Sequence, residues 1–527
     1  MRIHLVNPAY PASLWDFAGC RDITGKRYAH PPLSLPTVAA LTPREHEIRI
    51  TDENVQPVDL DWKADVVGIT GYHIQRDRVF ELADAFRARG AFVALGGPLV
   101  EDGSLEDCGR HADAVFKGEA EYTWPRFLAD RACGRARKLY AQDDLIGMPD
   151  SPAPRFDLLK LDAYSTATIE TSRGCPYACE FCEIPGRLGQ RSRHKTVEQV
   201  MTEVRSLRAL GADSIFFVDD HFIGDRAFTV RLLAELARFV REIDYAMYFT
   251  CQFTINLARD KELLALLHAA HFRRIFVGIE SPRKESLIAA RKRQNMVGDL
   301  AENIAALQAH RITVWAGIIV GFDSDDAEIF EEQRRFLQQA GIPVAMIGLL
   351  QAIPGTPLYE RMEREDRLRV IPVSGVRGTA ESLLASNIVH SALSDQELAG
   401  GFQSLVRDFY DYEPFGERLI QSLSGARVPA HPRKTKVGVD ELRMLARIAR
   451  HYLLTADGER RRLFVRVLAA VARQGLDLEM ALMHLVVYKH LRGFYHHLAS
   501  LPRPVMVAPP AAGVEGARTA IINRGPH

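Results

Sequence analysis

The sequence predicts an α/β chain in three parts: a doubly wound (Rossmann-like) parallel sheet, a partial (β/α)6 barrel and a helical C-terminal region. Three observations carry this reading. Apolar runs alternate with amphipathic segments over roughly the first 130 residues, the pattern of a parallel sheet with helices on both faces. A helix-then-strand unit then repeats from Val197 to Leu349, and the strands end in polar residues, as in barrel enzymes. Beyond about Val370 strand signals stop and helical periodicity takes over.

In the first part the strands fall at Ile3–Val6, Ile48–Thr51, Val66–Thr70, Phe92–Leu95 and Ala114–Phe116. Segment 78–89 repeats its apolar positions at helical spacing, and Gly90 follows it as a C-terminal cap. Ligands of such sheets sit beyond the strand carboxyl ends. Here those ends are Thr70-Gly71-Tyr72-His73, Gly96-Gly97-Pro98 and Gly118-Glu119. No G-x-G-x-x-G follows the first strand, which argues against a dinucleotide site. Residues 136–163, with Pro149, Pro152 and Pro154 close together, read as a linker.

The second part opens with a strand at Thr166–Glu170. Helix and strand then pair as Val197–Ala209 with Ser214–Val218, Phe228–Phe239 with Met247–Thr250, and Lys261–Ala270 with Arg274–Val277. Two more pairs are Gly298–His310 with Val314–Val320 and Asp326–Gln339 with Val344–Leu349. Just after the first strand stand Cys175, Cys179 and Cys182, on a segment whose Gly174 and Pro176 keep it out of regular structure. Three thiolates with no fourth cysteine nearby suit a cubane iron–sulfur cluster with one iron left open. Zinc with His194 as fourth ligand is the alternative, but structural zinc sites pair their ligands in two separated halves. The strand ends add Asp219 and Asp220, two carboxylates suited to a cation, and Glu280.

Composition narrows the classes. Lys+Arg and Asp+Glu are equal at 67 each, so no global field draws the chain to nucleic acid. Four of the seven cysteines, Cys20, Cys108, Cys133 and Cys251, are scattered and read as ordinary reduced thiols. The N-terminus enters a strand-like run at once and no long apolar stretch follows, so the expected location is the cytoplasm.

The C-x-x-x-C-x-x-C spacing resembles the signature of the radical S-adenosylmethionine (SAM) enzymes. With the preceding sheet and the helical extension, the chain resembles their cobalamin-dependent class, closest to the group of the hopanoid methylases. The runs Cys179–Pro185, Val218–Gly224 and Leu349–Leu358 carry this likeness, while Glu183 and His221 depart from the residues usual there. The resemblance implies a 4Fe-4S cluster on the three cysteines and SAM chelated to its open iron. SAM contacts would come from Phe181, Asp219, Asp220, Glu280, Gly317, Gly321 and Pro354. Cobalamin, held without a strong protein ligand, would meet Thr70, Gly71, His73, Gly96, Gly97, Gly118 and Glu119.

The expected activity is methylation of an unactivated carbon of a lipid or natural-product substrate, through a 5′-deoxyadenosyl radical and methylcobalamin. A cobalamin-dependent radical rearrangement, cyclisation or oxidation is the alternative. A reductant such as flavodoxin or ferredoxin is implied, and the basic run Arg187, Arg191, Arg193 and Lys195, if not simply a solvated face, would steer either it or an anionic substrate. The C-terminal helices would cover the open side of the barrel or make peripheral contact with a membrane. The expected domains are 1–135, 164–370 and 371–500, with a disordered tail over 501–527.

Overall fold

Short apolar segments buried on both faces build the N-terminal sheet of six parallel strands: β1 (Arg2–Asn7), β2 (Glu47–Asp52), β3 (Val66–Thr70), β4 (Phe92–Gly96), β5 (Ala114–Lys117) and β6 (Leu139–Ala141). The order is β2-β1-β3-β4-β5-β6, so the chain reverses its winding between β1 and β3. One apolar cluster covers each face, with Val67, Ile69 and Val93 on one side and Leu5, Val66 and Ala94 on the other. Helix Arg76–Ala88 ends as expected, Gly90 N–H donating to Arg87 O at 2.9 Å and Ala91 N–H to Phe86 O at 3.2 Å.

The computed structural model describes residues 1–100, 102–142, 144–243, 246–369, 382–431 and 438–502. The expected tail lies, from residue 503 on, outside them, as does the expected barrel boundary at 370/371. Segment 136–163 is more than a linker: it supplies β6 and short 3-10 turns. A three-residue edge strand between Pro- and Asp-bearing loops is too short to show a period in sequence.

The second sheet joins β7 (Ala167–Ile169), β10 (Ser214–Phe217), β11 (Tyr248–Phe253), β12 (Phe272–Glu280), β13 (Thr313–Val320) and β14 (Val344–Leu349), all parallel, in the order β14-β13-β12-β11-β10-β7. β7 and β14 do not pair, which leaves a partial barrel. Two residue pairs, β8 (Ser172–Arg173) and β9 (Arg193–His194), form an antiparallel ribbon astride the cysteine loop.

The helical region does cover the barrel. Its apolar residues belong to the same core cluster as the barrel strands. Edge strand β14 would present bare backbone groups to solvent, and two tyrosines of this region meet them. Tyr410 Oη accepts from Ala345 N at 3.2 Å and donates to Ala345 O at 2.6 Å. Tyr495 Oη does the same for Ile347, at 2.9 and 3.2 Å, and the two rings stack 4.9 Å apart. A helix at Tyr412–Ser424 went unread in the sequence because Pro414 and Gly416 interrupt its opening turns. No helix among the described residues is long and apolar enough to cross a membrane.

Candidate functional site

The cysteine loop leaves β8 through Gly174, whose φ of 92° and close approach to the carbonyls of Leu188, Gly189 and Arg191 exclude any side chain. Cys175, Cys179 and Cys182 follow, all half-buried. Burial pushes the Cys182 thiol up to about 12 and the Cys175 thiol upward, so holding both as thiolates requires a positive partner. His194 does not join them; it packs on Phe228, ring centroids 4.4 Å apart. Among the described residues no three His, Cys, Asp or Glu side chains converge on a point that one metal ion could fill. A cubane spreads its ligands over separate irons and needs no such convergence, so the donor set fits a cluster with one open iron.

The geometry separates the two acids after β10. Asp219 is fully buried, and its Oδ1 accepts from Thr171 N at 3.0 Å, Thr171 Oγ1 at 2.7 Å, Ser172 Oγ at 2.8 Å and Ser172 N. Through Oδ1 it anchors the base of the cysteine loop, while its Oδ2 is buried without a partner. Burial raises its carboxyl to about 7 against the pull of these donors. Asp220 is half-buried and accepts from Gly174 N at 2.9 Å through Oδ2.

Glu280 ends β12 past a register shift at Gly278 and takes a φ of 62°, unusual for a residue with a side chain. That kink turns its carboxylate onto Lys292 Nζ, a pair buried at the barrel mouth. Burial works against the charge on Lys292, and Glu280 with the Cys179 and Cys182 thiols more than offsets it. The sequence reading missed Lys292, which sits in an unpatterned turn twelve residues past Glu280.

Phe181, Ala290, Phe322, Leu350 and Leu358 line a small apolar cavity beside the loop. The Pro354-containing turn closes it: Leu358 N donates to Glu180 O at 2.9 Å, and Arg361 forks onto Glu180 at 2.7 and 3.0 Å. Gly317 is half-exposed inside the barrel beside Phe276 and Gly278. Gly321, with φ 102°, forms a turn tied by Asp325 at 2.8 Å and by His390, whose Nδ1 donates to its carbonyl at 2.8 Å. Where Asn is usual, His221 is buried against Tyr177, and burial lowers it to about 4.

Across from this mouth lie the carboxyl ends of the N-terminal strands. Tyr10 after β1 and Tyr72 after β3 flank the switch point, rings 6.3 Å apart. Tyr72 is 52% exposed, and Arg187, Glu170, Glu183 and Asp220 of the second unit act on its hydroxyl, so the carboxyl end of β3 lies near the cysteine loop. His73 begins the next turn, half-buried. The glycines here serve the fold first: a Cβ on Gly97 would overlap Thr70 Oγ1, and one on Gly71 would overlap Val79. Gly96 keeps its side open to 3.5 Å, and Gly118 abuts Gln142.

Glu119 is redirected altogether, contrary to its expected contact with cobalamin. It is buried, accepts from Arg173 at 2.8 Å and Arg193 at 3.0 Å, and with Glu121 on Arg173 ties the N-terminal sheet to the cysteine-loop ribbon. Lys195 is likewise buried on Glu203 at 2.7 Å. Of the basic run only Arg187 and Arg191 remain exposed. Sequence alone does not reveal such pairs, because their partners lie eight to 74 residues away.

A three-thiolate loop at the mouth of a partial barrel, with an acid and a lysine beside it, defines a radical SAM enzyme. Residues 169–337 match the radical SAM superfamily, and 356–501 match a domain of unknown function. The chain is 36% identical over 372 residues to an uncharacterized methyltransferase of Synechocystis sp., covering 70% of this chain and 69% of that one. It is 35% identical over 376 residues to the hopanoid C-2 methylase of Rhodopseudomonas palustris, covering 70% and 71%. The fold matches the radical SAM methyltransferase TsrM from Kitasatospora setae, solved with cobalamin and a [4Fe-4S] cluster, at TM-score 0.60, 17% identity and coverage of 89% and 99%. It also matches the cobalamin-dependent radical enzyme OxsB, at TM-score 0.59, 16% identity and coverage of 94% and 80%. The chain belongs to the radical SAM superfamily and, within it, to the methyltransferase family of the hopanoid C-2 methylase.

Proposed function

We propose that this enzyme methylates an unactivated carbon of a lipid or natural-product substrate, using a 4Fe-4S cluster, SAM and cobalamin. The observation that carries the reading is the placement of the three-cysteine loop against the carboxyl end of β5, where Arg173 and Arg193 on either side of the loop both pair with Glu119. When bound, the cluster supplies the electron that cleaves SAM to a 5′-deoxyadenosyl radical, and cobalamin supplies the methyl group.

Cys175, Cys179 and Cys182 would hold three irons. Asp220 would take the SAM ammonium, and Glu280, oriented by Lys292, the ribose hydroxyls. Phe181, Gly317, Gly321 and Pro354 would enclose the adenine. Thr70, Gly71, Gly96, Gly97 and Gly118 would line the cobalamin tail, with Tyr72 and His73 toward the corrin. The apolar cavity and the Glu180–Arg361 closure exclude water from the reacting atoms.

Exposed Arg187 and Arg191 beside the loop favour an acidic reductant such as flavodoxin or ferredoxin. Peripheral membrane contact fits helix Val439–Leu453, where Val439 and Leu442 are 63% and 57% exposed, and Leu454 just beyond is 80% exposed. Asp440 and Glu441 share that stretch and Arg443 pairs with Asp440 at 3.0 Å, so such a contact would rest on the apolar residues rather than on charge.

The test is anaerobic purification from cobalamin-supplied cells, then incubation with methyl-deuterated SAM, a reductant and a lipid extract. The expected result is about four irons and one cobalamin per chain, 5′-deoxyadenosine, and a deuterated product. Cys179→Ala removes both products. Cleavage of SAM with no label transferred to any compound would overturn methylation.

A further inference from the structure

In β12 the residues that remain accessible are Arg274, Phe276 and Gly278, while Ile275, Val277 and Ile279 are buried under the helices. The accessible set therefore faces the barrel lumen. Four residues at about 3.3 Å each place Arg274 roughly 13 Å below Gly278 and the mouth. Around it, Phe216 stays half-exposed, Trp315 packs beneath its guanidinium at 4.3 Å, and His30 of the N-terminal domain stands 5.3 Å from Phe216.

The three deeply placed arginines of this region differ in one respect. Arg273 is ion-paired with Asp477 at 2.5 Å and Glu479 at 3.1 Å. Arg418 donates to Ile342 O at 2.9 Å, Gln338 Oε1 at 2.8 Å and Phe409 O. Arg274 has only the Met483 thioether at 3.4 Å, a weak acceptor, and among the described residues no carboxylate pairs with it. Burial, with Arg273 of like sign adding to it, lowers it to about 10. His30 Nδ1 is also buried without a partner, and burial, with Arg274 adding to it, keeps this ring neutral, near 4. A guanidinium set in the lumen without an anion is left to water alone, and a ligand that brings an acid group supplies the missing partner.

We infer that the amino-terminal end of the lumen seats the acid group, carboxylate or phosphate, of an otherwise apolar substrate, with Arg274 as its anchor. The apolar walls formed by Phe216, Phe276 and Trp315 would take the body, directing the opposite end toward the mouth. This names the substrate class of the methylation reading and rests on it, but binding needs no turnover.

The test is calorimetric titration of the anaerobic holoenzyme with decanoate, decyl phosphate and 1-decanol, with tryptophan fluorescence followed in parallel. At least one acid is expected to bind about 10- to 100-fold tighter than the alcohol, the worth of a charge-assisted hydrogen bond. Decanoate and decyl phosphate together tell a carboxylate seat from a phosphate seat. Arg274→Gln should bring the acids to the level of the alcohol and leave the alcohol unchanged, while Arg274→Lys keeps a preference. The fluorescence response should vanish in Trp315→Phe. Equal binding of acids and alcohol, binding of neither, or a preference surviving in Arg274→Gln would overturn the inference. Should the Gln variant lose its cluster, the wild-type ratio decides by itself. Failure of methyl transfer bears on the function proposed above, and loss of the acid preference bears on this seat alone.

Discussion

Adjacent residues of one type divide their labour after β10. Four donors converge on one oxygen of Asp219, whereas Asp220 takes a single backbone N–H. Asp219→Ala is therefore expected to cost at least about 2 kcal/mol and to lower retained iron. Asp220→Ala should keep its iron and weaken SAM binding about 10-fold, the worth of a charged hydrogen bond. Iron analysis and SAM titration of the two variants separate the roles; matching profiles would refute the division. Lys292→Met strands Glu280 as a buried unpaired charge, at a cost of about 3–5 kcal/mol. The double variant Lys292→Met/Glu280→Gln should recover much of it, as denaturant midpoints would read.

At the level of elements, β14 remains an unpaired edge that the helical region closes with hydroxyl groups in place of a further strand. Tyr495→Phe removes both bonds to Ile347 and leaves a buried N–H without an acceptor. A loss of about 1–3 kcal/mol is expected, with Tyr410→Phe similar and the pair non-additive because the rings stack. Hydrogen exchange should show Ile347 losing protection first in Tyr495→Phe. Unchanged exchange along β14 would mean that packing alone holds this edge.

Across the whole molecule, neutral buried histidines set the acid limit. Burial lowers His4, His30, His221, His390 and His484 to about 4 and His431 to about 2. Each binds its proton more weakly folded than unfolded, so its stabilising effect is complete above the ordinary value of 6.5 and lost as pH falls toward 4. The denaturant midpoint should hold between pH 7 and 8 and drop steeply below about 6; a flat profile to pH 4.5 would contradict it. Glu119, joined to Arg173 and Arg193, couples the two halves of the molecule. Glu119→Gln should speed proteolysis between the sheet and the cysteine loop while leaving each half folded.

What the sequence by itself determined is local. Three cysteines on a Gly- and Pro-broken loop, apolar strands of uniform period and glycines at their ends are readable because neighbours along the chain impose them. Thus β1 to β5, the cysteine loop and the six barrel strands stood in the sequence, although β11 runs on to Phe253 and β12 from Phe272 to Glu280, beyond the bounds read from Met247–Thr250 and Arg274–Val277. Only tertiary structure decided which charged residue serves the site and which serves the frame. Asp219 and Glu119 look like ligands in sequence and are anchors in space, while Lys292 and Arg274 look like surface charges and face the mouth and the lumen. The reason is physical: burial and the identity of an ion's partner are set by segments far apart in the chain, and neither leaves a period to read.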